Sequence, residues 1–252
     1  MSEQTDSREP AIHVAGVSKS YGRQLAVSRL SLDVHRGELF AFLGPNGAGK
    51  TTTIKMIVGL LAPNEGDVRV CGHEIGSNGI AAKARMAYVP DQPFLYEKLS
   101  GREFLHFVAE MYGLTIAERD RAIEELIRRL DLLEFLDHLT ESYSHGMKQK
   151  IALAAALLHR PAVLVIDEPM VGLDPRSIRT VKDLFLELVR DGGTVFMSTH
   201  ALEIAESIAT RIGIIRKGEL IAVGTLEQLR RQARREHSLE EIFLQLTEEN
   251  CG

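Results

Sequence analysis

Three short apolar runs dominate the hydrophobic pattern of the chain. They are LFAFL at Leu39–Leu43, AVLVI at residues 162–166 and TVFMST at Thr194–Thr199. None of them alternates polar with apolar residues, so each is typical of a strand that is covered on both faces, as in a parallel sheet. The first two runs are followed by apolar residues at helical spacing, namely Ile54, Ile57, Val58 and Leu61, and then Val181, Leu184, Phe185 and Leu188. This alternation of strands and helices predicts an α/β fold.

The stretch between the first two of these strands carries helical patterns instead. Ile123, Leu126, Ile127 and Leu130 recur at the spacing of one helix face. Near the end of the chain, Ser238 and Glu241 form a capping box at the start of an amphipathic helix. We therefore predict an α/β core over residues 1–95 and 161–224, an inserted helical subdomain over residues 96–160 and a C-terminal helical tail over residues 225–252.

Composition narrows the class of protein. Of the 252 residues, 44% are hydrophobic and 26% are charged, as in a folded globular chain. The 30 Lys and Arg residues against 35 Asp and Glu give a net charge of −5, which argues against a nucleic-acid partner. The longest apolar run, IALAAALL, is less than half of the roughly 20 residues of a membrane-spanning helix. With no targeting pattern in MSEQTDSREP, we expect a cytosolic chain whose Cys71 and Cys251 stay reduced.

The segment GPNGAGKT, residues 44–51, lies between the first predicted strand and the first predicted helix. It matches the phosphate-binding pattern G-x-x-x-x-G-K-[ST] in the context which that motif requires. Glycines let the backbone turn its N–H groups toward phosphates, and the helix N-terminus adds positive potential. The Lys50 ammonium can bind the β- and γ-phosphates, and the Thr51 hydroxyl can bind Mg²⁺. By itself, this loop leaves kinases, GTPases and many ATPases open.

Polar residues also follow the other two predicted strands. After the second strand, Asp167 can hold the Mg²⁺ shell and Glu168 can polarise an attacking water. After the third strand, His200 is expected on the same rim as the phosphate loop, because the carboxyl ends of parallel strands meet at one edge. Upstream, Ser144 and Gly146 open a predicted helix, whose N-terminus is a further anion site.

The order of these motifs resembles the nucleotide-binding subunit of an ATP-binding cassette (ABC) transporter, from about residue 12 to residue 221. The resemblance implies a P-loop NTPase core with a mainly parallel sheet, an N-terminal antiparallel β portion and an inserted helical subdomain. It implies ATP and Mg²⁺ as cofactors. The implied ATP-binding residues are Tyr21, which would stack on adenine, and Gly44, Pro45, Asn46, Gly47, Ala48, Gly49, Lys50, Thr51 and Thr52.

The resemblance also assigns roles outside the phosphate loop. Thr51 and Asp167 would bind the metal, Glu168 and His200 would be catalytic, with His200 on the γ-phosphate, and Asp174 would be the D-loop residue. A family signature segment would act on the ATP of a partner subunit. In this chain that segment is Ser144, His145, Gly146 and Met147.

The chain departs from the family pattern at two places. The usual Leu-Ser-Gly-Gly-Gln signature reads Tyr-Ser-His-Gly-Met here, so that His145 puts a bulky, titratable group at the nucleotide interface. The second departure is a metal-contacting glutamine, which falls on Asp91 when it is counted from Pro90, while Gln92 has the family's residue type. Neighbouring side chains of an extended segment point to opposite faces, so one of the two is expected to face the metal, and the count favours Asp91.

By this resemblance, the chain is an ATP-hydrolysing subunit that powers transport, with export favoured. Its partners would be separate integral-membrane permease subunits and a second ATP-binding subunit, as a homodimer or a heterodimer. It would lie on the cytoplasmic face of the inner (plasma) membrane. The alternative is a soluble ABC-type ATPase in nucleic-acid or translation processes, but those relatives carry coiled-coil insertions, zinc modules or two cassettes, and none is visible in this sequence. A P-loop kinase would leave the Asp-Glu pair, the Ser-x-Gly helix start and His200 without a role.

Overall fold

The computed structural model describes residues 9–76, 79–232 and 239–248. The strands are β1 (Ile12–Tyr21), β2 (Gln24–Val34), β3 (Leu39–Leu43), β4 (Glu65–Val70), β5 (His73–Glu74), β6 (Met86–Val89), β7 (Val163–Asp167), β8 (Thr194–Thr199), β9 (Arg211–Arg216) and β10 (Glu219–Gly224). The helices are α1 (Lys50–Ile57), α2 (Ile80–Lys83), α3 (Gly101–Met111), α4 (Ile116–Leu130), α5 (His145–Leu157), α6 (Pro175–Arg190), α7 (Leu202–Ile208), α8 (Leu226–Gln232) and α9 (Leu239–Glu248), with a short 3₁₀ helix at Thr140–Ser142. Ser238 of the predicted capping box and Cys251 lie outside the described residues.

These strands form two sheets. The smaller sheet has the order β2-β1-β4-β5 and is antiparallel. The larger sheet has the order β10-β9-β3-β8-β7-β6, in which β10 is antiparallel to β9 and the other neighbours are parallel. The prediction of a mainly parallel sheet with an N-terminal antiparallel portion is confirmed.

The three apolar runs lie side by side as β3, β8 and β7 in the middle of the larger sheet. Leu39, Ala41 and Leu43 belong to the hydrophobic core on the helical side of this sheet. Phe40 and Phe42 belong instead to the core on the side of the antiparallel sheet, where both rings pack against the Phe196 ring of β8. Because each face of β3 is buried in a different core, its sequence shows no polar alternation. The second run forms its strand one residue later than predicted, over Val163–Asp167.

Helix α1 is shorter than its sequence pattern predicts. The apolar spacing continues to Leu61, but the helix ends at Ile57 with Val58 as its C-cap. Gly59 has φ +70°, and a backbone in this left-handed region cannot continue a right-handed helix. Leu61 still packs against the core on the antiparallel side, so its apolar character reflects burial beyond the helix.

Helices α3, α4 and α5 lie between β6 and β7 in the chain. The first two begin at capping boxes, in which Ser100 pairs with Glu103 and Thr115 pairs with Glu118. All three helices contribute to the same core as one face of β3, β7 and β8. The boundaries at residues 95/96, 160/161 and 224/225 stay predictions. No helix within residues 9–76, 79–232 and 239–248 is both long enough and apolar enough to cross a membrane.

Candidate functional site

The loop of residues 44–51 joins β3 to α1, and close backbone contacts require glycine at both ends of it. A Cβ on Gly44 would lie 2.5 Å from the Ile215 carbonyl oxygen of β9. A Cβ on Gly49 would lie 2.7 Å from the Ala26 carbonyl oxygen of β2, and Gly49 has φ +108°. Only glycine fits this approach without displacing a neighbouring strand. The loop is therefore clamped between both sheets before α1 begins at Lys50.

The Lys50 side chain is buried inside this loop. Its ammonium donates hydrogen bonds to the carbonyl oxygen of Gly44 at 2.7 Å and to that of Pro45 at 3.3 Å. Burial lowers the pKa of Lys50, and the nearby carboxylates of Glu168 and Asp167 partly oppose this effect. The positive charge is thus held at the centre of the loop, where the phosphates of a nucleotide would be bound.

Asp167 lies at the end of β7 and accepts two side-chain hydrogen bonds. The Thr51 hydroxyl donates to Oδ2 at 2.9 Å, and the Ser198 hydroxyl at the end of β8 donates to Oδ1. Asp167 pairs with Ser198 in the register of β7 and β8, and both residues are buried. The hydroxyl of Thr51 and a carboxylate oxygen of Asp167 are adjacent hard ligands of the kind that Mg²⁺ prefers.

Glu168 follows Asp167 and turns the chain out of the sheet. It has φ +51°, and its amide N–H donates to the carbonyl oxygen of Ser198 at 3.1 Å. Its carboxylate meets His200, whose Nδ1 lies 2.9 Å from Glu168 Oε2 and whose amide N–H donates to the same oxygen at 3.3 Å. The His200 side chain is 63% exposed, while that of Glu168 is only 13% exposed. The imidazole is therefore exposed to solvent, whereas the carboxylate is largely buried.

A cavity opens over the loop and collects most of the predicted residues. Among the residues that line it are Tyr21, Pro45, Asn46, Gly47, Gly49, Lys50, Thr51, Thr52, Asp91, Asp167 and Glu168. Ala48 is buried, and its carbonyl oxygen accepts the amide N–H of Gly218 at 2.8 Å. Tyr21 is half exposed at the end of β1. The lining residues Gln24, Leu25, Ala26 and Lys217 belong to none of the motifs recognised in the sequence.

Asp91 and Gln92 differ in their surroundings. Asp91 lines the cavity and is half-buried, whereas Gln92 is exposed. Burial raises the pKa of Tyr88 to about 12, and the negative charges of Asp167 and Asp91 add to this rise. Asp91 and Asp167 therefore both lie close enough to the Tyr88 hydroxyl for their charges to act on it.

The signature segment and Asp174 stand apart from this cavity. Among the described lining residues, none falls within residues 144–147. Ser144 is the N-cap of α5, and its hydroxyl accepts the amide N–H of Met147 at 3.3 Å. Asp174 is the N-cap of α6, where hydrogen bonds from the hydroxyl and the amide N–H of Ser177 lower its pKa. Both side chains are exposed, so one protomer brings only part of the predicted set together.

Comparison with known proteins decides the family. The model of the ABC transporter family matches residues 27–171, which is more than half of the chain. The chain belongs to the ABC transporter family. The ABC subunit is 39% identical over 218 residues to the linearmycin resistance ATP-binding protein LnrL of Bacillus subtilis, a match that covers 86% of this chain and 70% of that protein. It is 33% identical over 242 residues to the ABC-type transporter ATP-binding protein EcsA of the same organism, a match that covers 96% of this chain and 98% of that protein.

A solved structure agrees with these relatives. This chain matches the solved structure of an ATP binding subunit of an ABC transporter with a TM-score of 0.89 and 36% sequence identity. The match covers 94% of this chain and 99% of that one. The predicted P-loop NTPase fold is therefore confirmed. The prediction of an ATP-binding, ATP-hydrolysing subunit that powers transport is confirmed as well, and subunits of this family dimerise and work with transmembrane subunits.

Proposed function

We propose that the cavity binds ATP with Mg²⁺ and that hydrolysis takes place beside Glu168. The single observation that carries this assignment is the pair of contacts at one end of the cavity, Thr51 with Asp167 and Glu168 with His200. The backbone N–H groups of residues 44–51 and the Lys50 ammonium bind the phosphates, and Tyr21 stacks on the adenine. Glu168 accepts a proton from the attacking water, and His200 donates a hydrogen bond to the γ-phosphate.

The metal fits the donor set at the end of β7. The Thr51 hydroxyl and the Asp167 carboxylate supply oxygen ligands, and Asp91 is a further carboxylate on the cavity wall. Mg²⁺ neutralises negative charge on the triphosphate when it is bound. Ser198 holds Oδ1 of Asp167, which keeps Oδ2 directed toward Thr51. We assign the family's metal-contacting position to Asp91, since Gln92 faces solvent.

A second ATP-binding subunit completes the site. Ser144 and Gly146 lie at the N-terminus of α5 outside the cavity, and Ser144 is exposed. The amide groups at this helix end suit a phosphate supplied by another protomer. We therefore propose a dimer, homo- or heterodimeric, in which the signature segment of each protomer, Ser144, His145, Gly146 and Met147, meets the ATP of the other through Ser144, Gly146 and Met147, with Asp174 at the contact. The His145 ring of that segment packs on Gly172 of its own chain.

The partner in the membrane docks on an exposed aromatic patch, which we define as Phe94, Tyr96 and Phe107. Phe94 is 81% exposed, and the Tyr96 ring makes edge contacts with both of the other rings. Exposed apolar patches of this kind mark interaction sites. The patch adjoins Asp91 through residues 91–96, so that a docked segment would be linked by a short stretch of backbone to the cavity wall. This arrangement supports a permease subunit as the partner, and with such a partner we propose the cytoplasmic face of the inner (plasma) membrane as the location.

The direction of transport that we favour is export. The relatives LnrL of Bacillus subtilis and DrrA3 of Streptomyces coeruleorubidus are a linearmycin resistance and a daunorubicin resistance ATP-binding protein. Resistance to such compounds is the expected outcome of moving them out of a cell. The alternative of a soluble ATPase in nucleic-acid or translation processes is not favoured, because the relatives EcsA of Bacillus subtilis and YbhF of Escherichia coli are named as transporter ATP-binding proteins and the chain has a net charge of −5.

Co-isolation from native membranes tests this function. The tagged chain should retain a polytopic membrane subunit, and the double variant Phe94→Ser/Tyr96→Ser should lose it without losing ATP binding. Leu133→Ser, at a residue that is 68% exposed outside the patch, is the matched control and should retain the subunit. A wild-type chain that is recovered only with soluble proteins or nucleic acid would contradict the transport role.

A further inference from the structure

The side chain of His145 is turned inward, onto its own chain. The sequence predicts a titratable group at the nucleotide interface, but the imidazole packs on Gly172 in the loop between β7 and α6. A Cβ on Gly172 would lie 2.5 Å from the His145 ring carbon Cδ2 and 3.3 Å from its Cγ. His145 Nε2 is buried, and it has no hydrogen-bond partner among the described residues. In this protomer the ring therefore contacts the loop and not the cavity.

The contact includes the next residue of α5 as well. A Cβ on Gly146 would lie 2.8 Å from the carbonyl oxygen of Gly172, so the helix N-terminus and the loop approach each other through two glycines. Gly172 has φ +75°, a conformation that favours glycine. The fit is thus tight on both sides, and the His145 ring fills the space that a side chain on Gly172 would occupy.

His145 packs against the loop between β7 and α6, and Glu168 lies in the same loop. Its start is held by the hydrogen bond from the Glu168 amide to Ser198, and its end by Asp174 as the cap of α6. Between them, the Val171 amide donates to the carbonyl oxygen of Glu168 at 3.3 Å. Gly172 follows directly, so a displacement of Gly172 changes the turn that sets the direction of the Glu168 backbone.

We infer that His145 is a positioning residue, which links the N-terminus of α5 to Glu168 by holding Gly172. The inference rests on the proposed function, in which Glu168 is the base and Ser144 and Gly146 meet the ATP of the partner protomer. Contact of the signature segment with that ATP would then be transmitted through the His145 ring to the same protomer's own Glu168. The contact with Gly172 is made by the ring carbons Cδ2 and Cγ, so it is a packing contact that acts on the position of the loop.

A double-mutant cycle on the full chain tests this link. His145→Ala should lower kcat about tenfold, as expected for a small displacement of a catalytic group, while KM for ATP stays within about twofold. His145→Asn should restore most of kcat, since its side-chain amide occupies the positions of the two ring atoms bonded to Cγ. Gly172→Ala should lower kcat strongly in the wild-type background, because its methyl group would collide with the ring.

The second half of the cycle measures Gly172→Ala in the His145→Ala background. There the nearest remaining atom of residue 145 is Cβ, at 3.5 Å, so Gly172→Ala should cost only what its backbone conformation costs. Gly113→Ala is the matched control, because Gly113 has φ +72° and nothing within 4 Å of its Cβ position, and this variant should keep the wild-type kcat. Circular dichroism melts of every variant confirm that the chains are folded.

Two results would overturn the inference. One is an equal loss of kcat from Gly172→Ala with and without His145, and the other is a His145→Ala variant that changes KM for ATP and leaves kcat unchanged. Glu168→Gln separates these failures from failure of the proposed function. If that variant still turns over ATP, Glu168 is not the base, and the function and the inference fall together. If it is inactive and the cycle shows no coupling, only the inference falls.

Discussion

The carboxylate of Glu168 and the imidazole of His200 are in direct contact, with Oε2 and Nδ1 separated by 2.9 Å. The His200 amide donates to the same oxygen, so one carboxylate oxygen is held from two sides. In the proposed chemistry, Oε1 of Glu168 would accept the water's proton and Nε2 of His200 would meet a phosphate oxygen. The contact places Glu168 and His200, the two residues of the proposed chemistry, in one hydrogen-bonded unit.

Glu168→Gln should retain ATP binding and lose at least about a hundredfold in kcat, because the amide is nearly isosteric but cannot accept the water's proton. ATP should then accumulate a dimer that is visible by gel filtration with light scattering. Glu203→Gln, at an exposed residue in the first turn of α7, is the control and should behave as the wild type. A Glu168→Gln protein that stays monomeric at saturating ATP would rule out the two-subunit site.

His200→Ala should lower kcat about a hundredfold through loss of a hydrogen bond to the γ-phosphate. ATP affinity should change little, since the side chain is 63% exposed and contacts Glu168 rather than the loop of residues 44–51. Equilibrium binding of a fluorescent ATP analogue and single-turnover hydrolysis measure the two quantities. His138→Ala removes an exposed imidazole elsewhere and should change neither. A loss of binding equal to the loss of turnover would contradict the role of His200.

Lys50→Ala should weaken ATP binding at least about tenfold, since hydrogen bonds from a charged group are worth about 1.5–3 kcal/mol. Turnover should be abolished. The melting temperature without nucleotide should fall slightly, because the Lys50 ammonium also donates hydrogen bonds to the carbonyl oxygens of Gly44 and Pro45. Lys55→Ala, on the exposed face of α1, should bind and hydrolyse ATP normally. Thermal-shift titrations with ATP measure the ATP affinity and the melting temperature. An unchanged turnover would exclude Lys50 from the phosphate site.

Asp91→Asn should raise the Mg²⁺ concentration required for half-maximal turnover several-fold, because a neutral amide oxygen is a weaker ligand than a carboxylate. Gln92→Ala should leave the Mg²⁺ titration unchanged, since this side chain is exposed. ATPase rates across a Mg²⁺ series at fixed ATP compare the two variants. If only the Gln92 variant changes its metal dependence, the assignment of Asp91 is wrong.

Tyr143→Phe should destabilise the chain by about 1–3 kcal/mol, the usual effect of losing a buried hydrogen-bond partner. The Tyr143 hydroxyl donates to the carbonyl oxygen of Phe135 at 2.7 Å and accepts the amide N–H of Gly101 at 3.1 Å. Urea unfolding measures the free energy of unfolding, with Tyr112→Phe at an exposed ring as the control. Equal stabilities of the two variants would show that the hydroxyl contributes nothing to the packing of α3 against α5.

The local sequence was sufficient to predict the central strands of the larger sheet. Strands β3 and β8 were predicted with their observed bounds, because each is buried on both faces and its whole run is apolar. The phosphate loop was equally predictable, because its motif consists of consecutive residues, GPNGAGKT at residues 44–51. The end of α1 was not, because apolar residues such as Leu61 pack on the core after the chain has left the helix.

The residues that sequence reasoning missed depend on neighbours across the sheet. Ser198 becomes a partner of Asp167 only through the register of β7 and β8, although a polar residue ending an otherwise apolar strand was a signal that could have been used. Lys217 reaches the cavity from the turn between β9 and β10, which no local pattern relates to the phosphate loop. The inward direction of His145 follows from the path of a loop that lies far along the chain.

The left-handed backbone of Glu168 has a consequence for how this chain can change over generations. At φ +51° an L-residue with a side chain carries a conformational cost of about 1–2 kcal/mol, which glycine would avoid and asparagine would reduce. Glycine or asparagine at this position would therefore remove part of that conformational cost and give up the carboxylate in exchange. If Glu168 is the proposed base, selection for fold stability and selection for ATP turnover act in opposite directions at this residue.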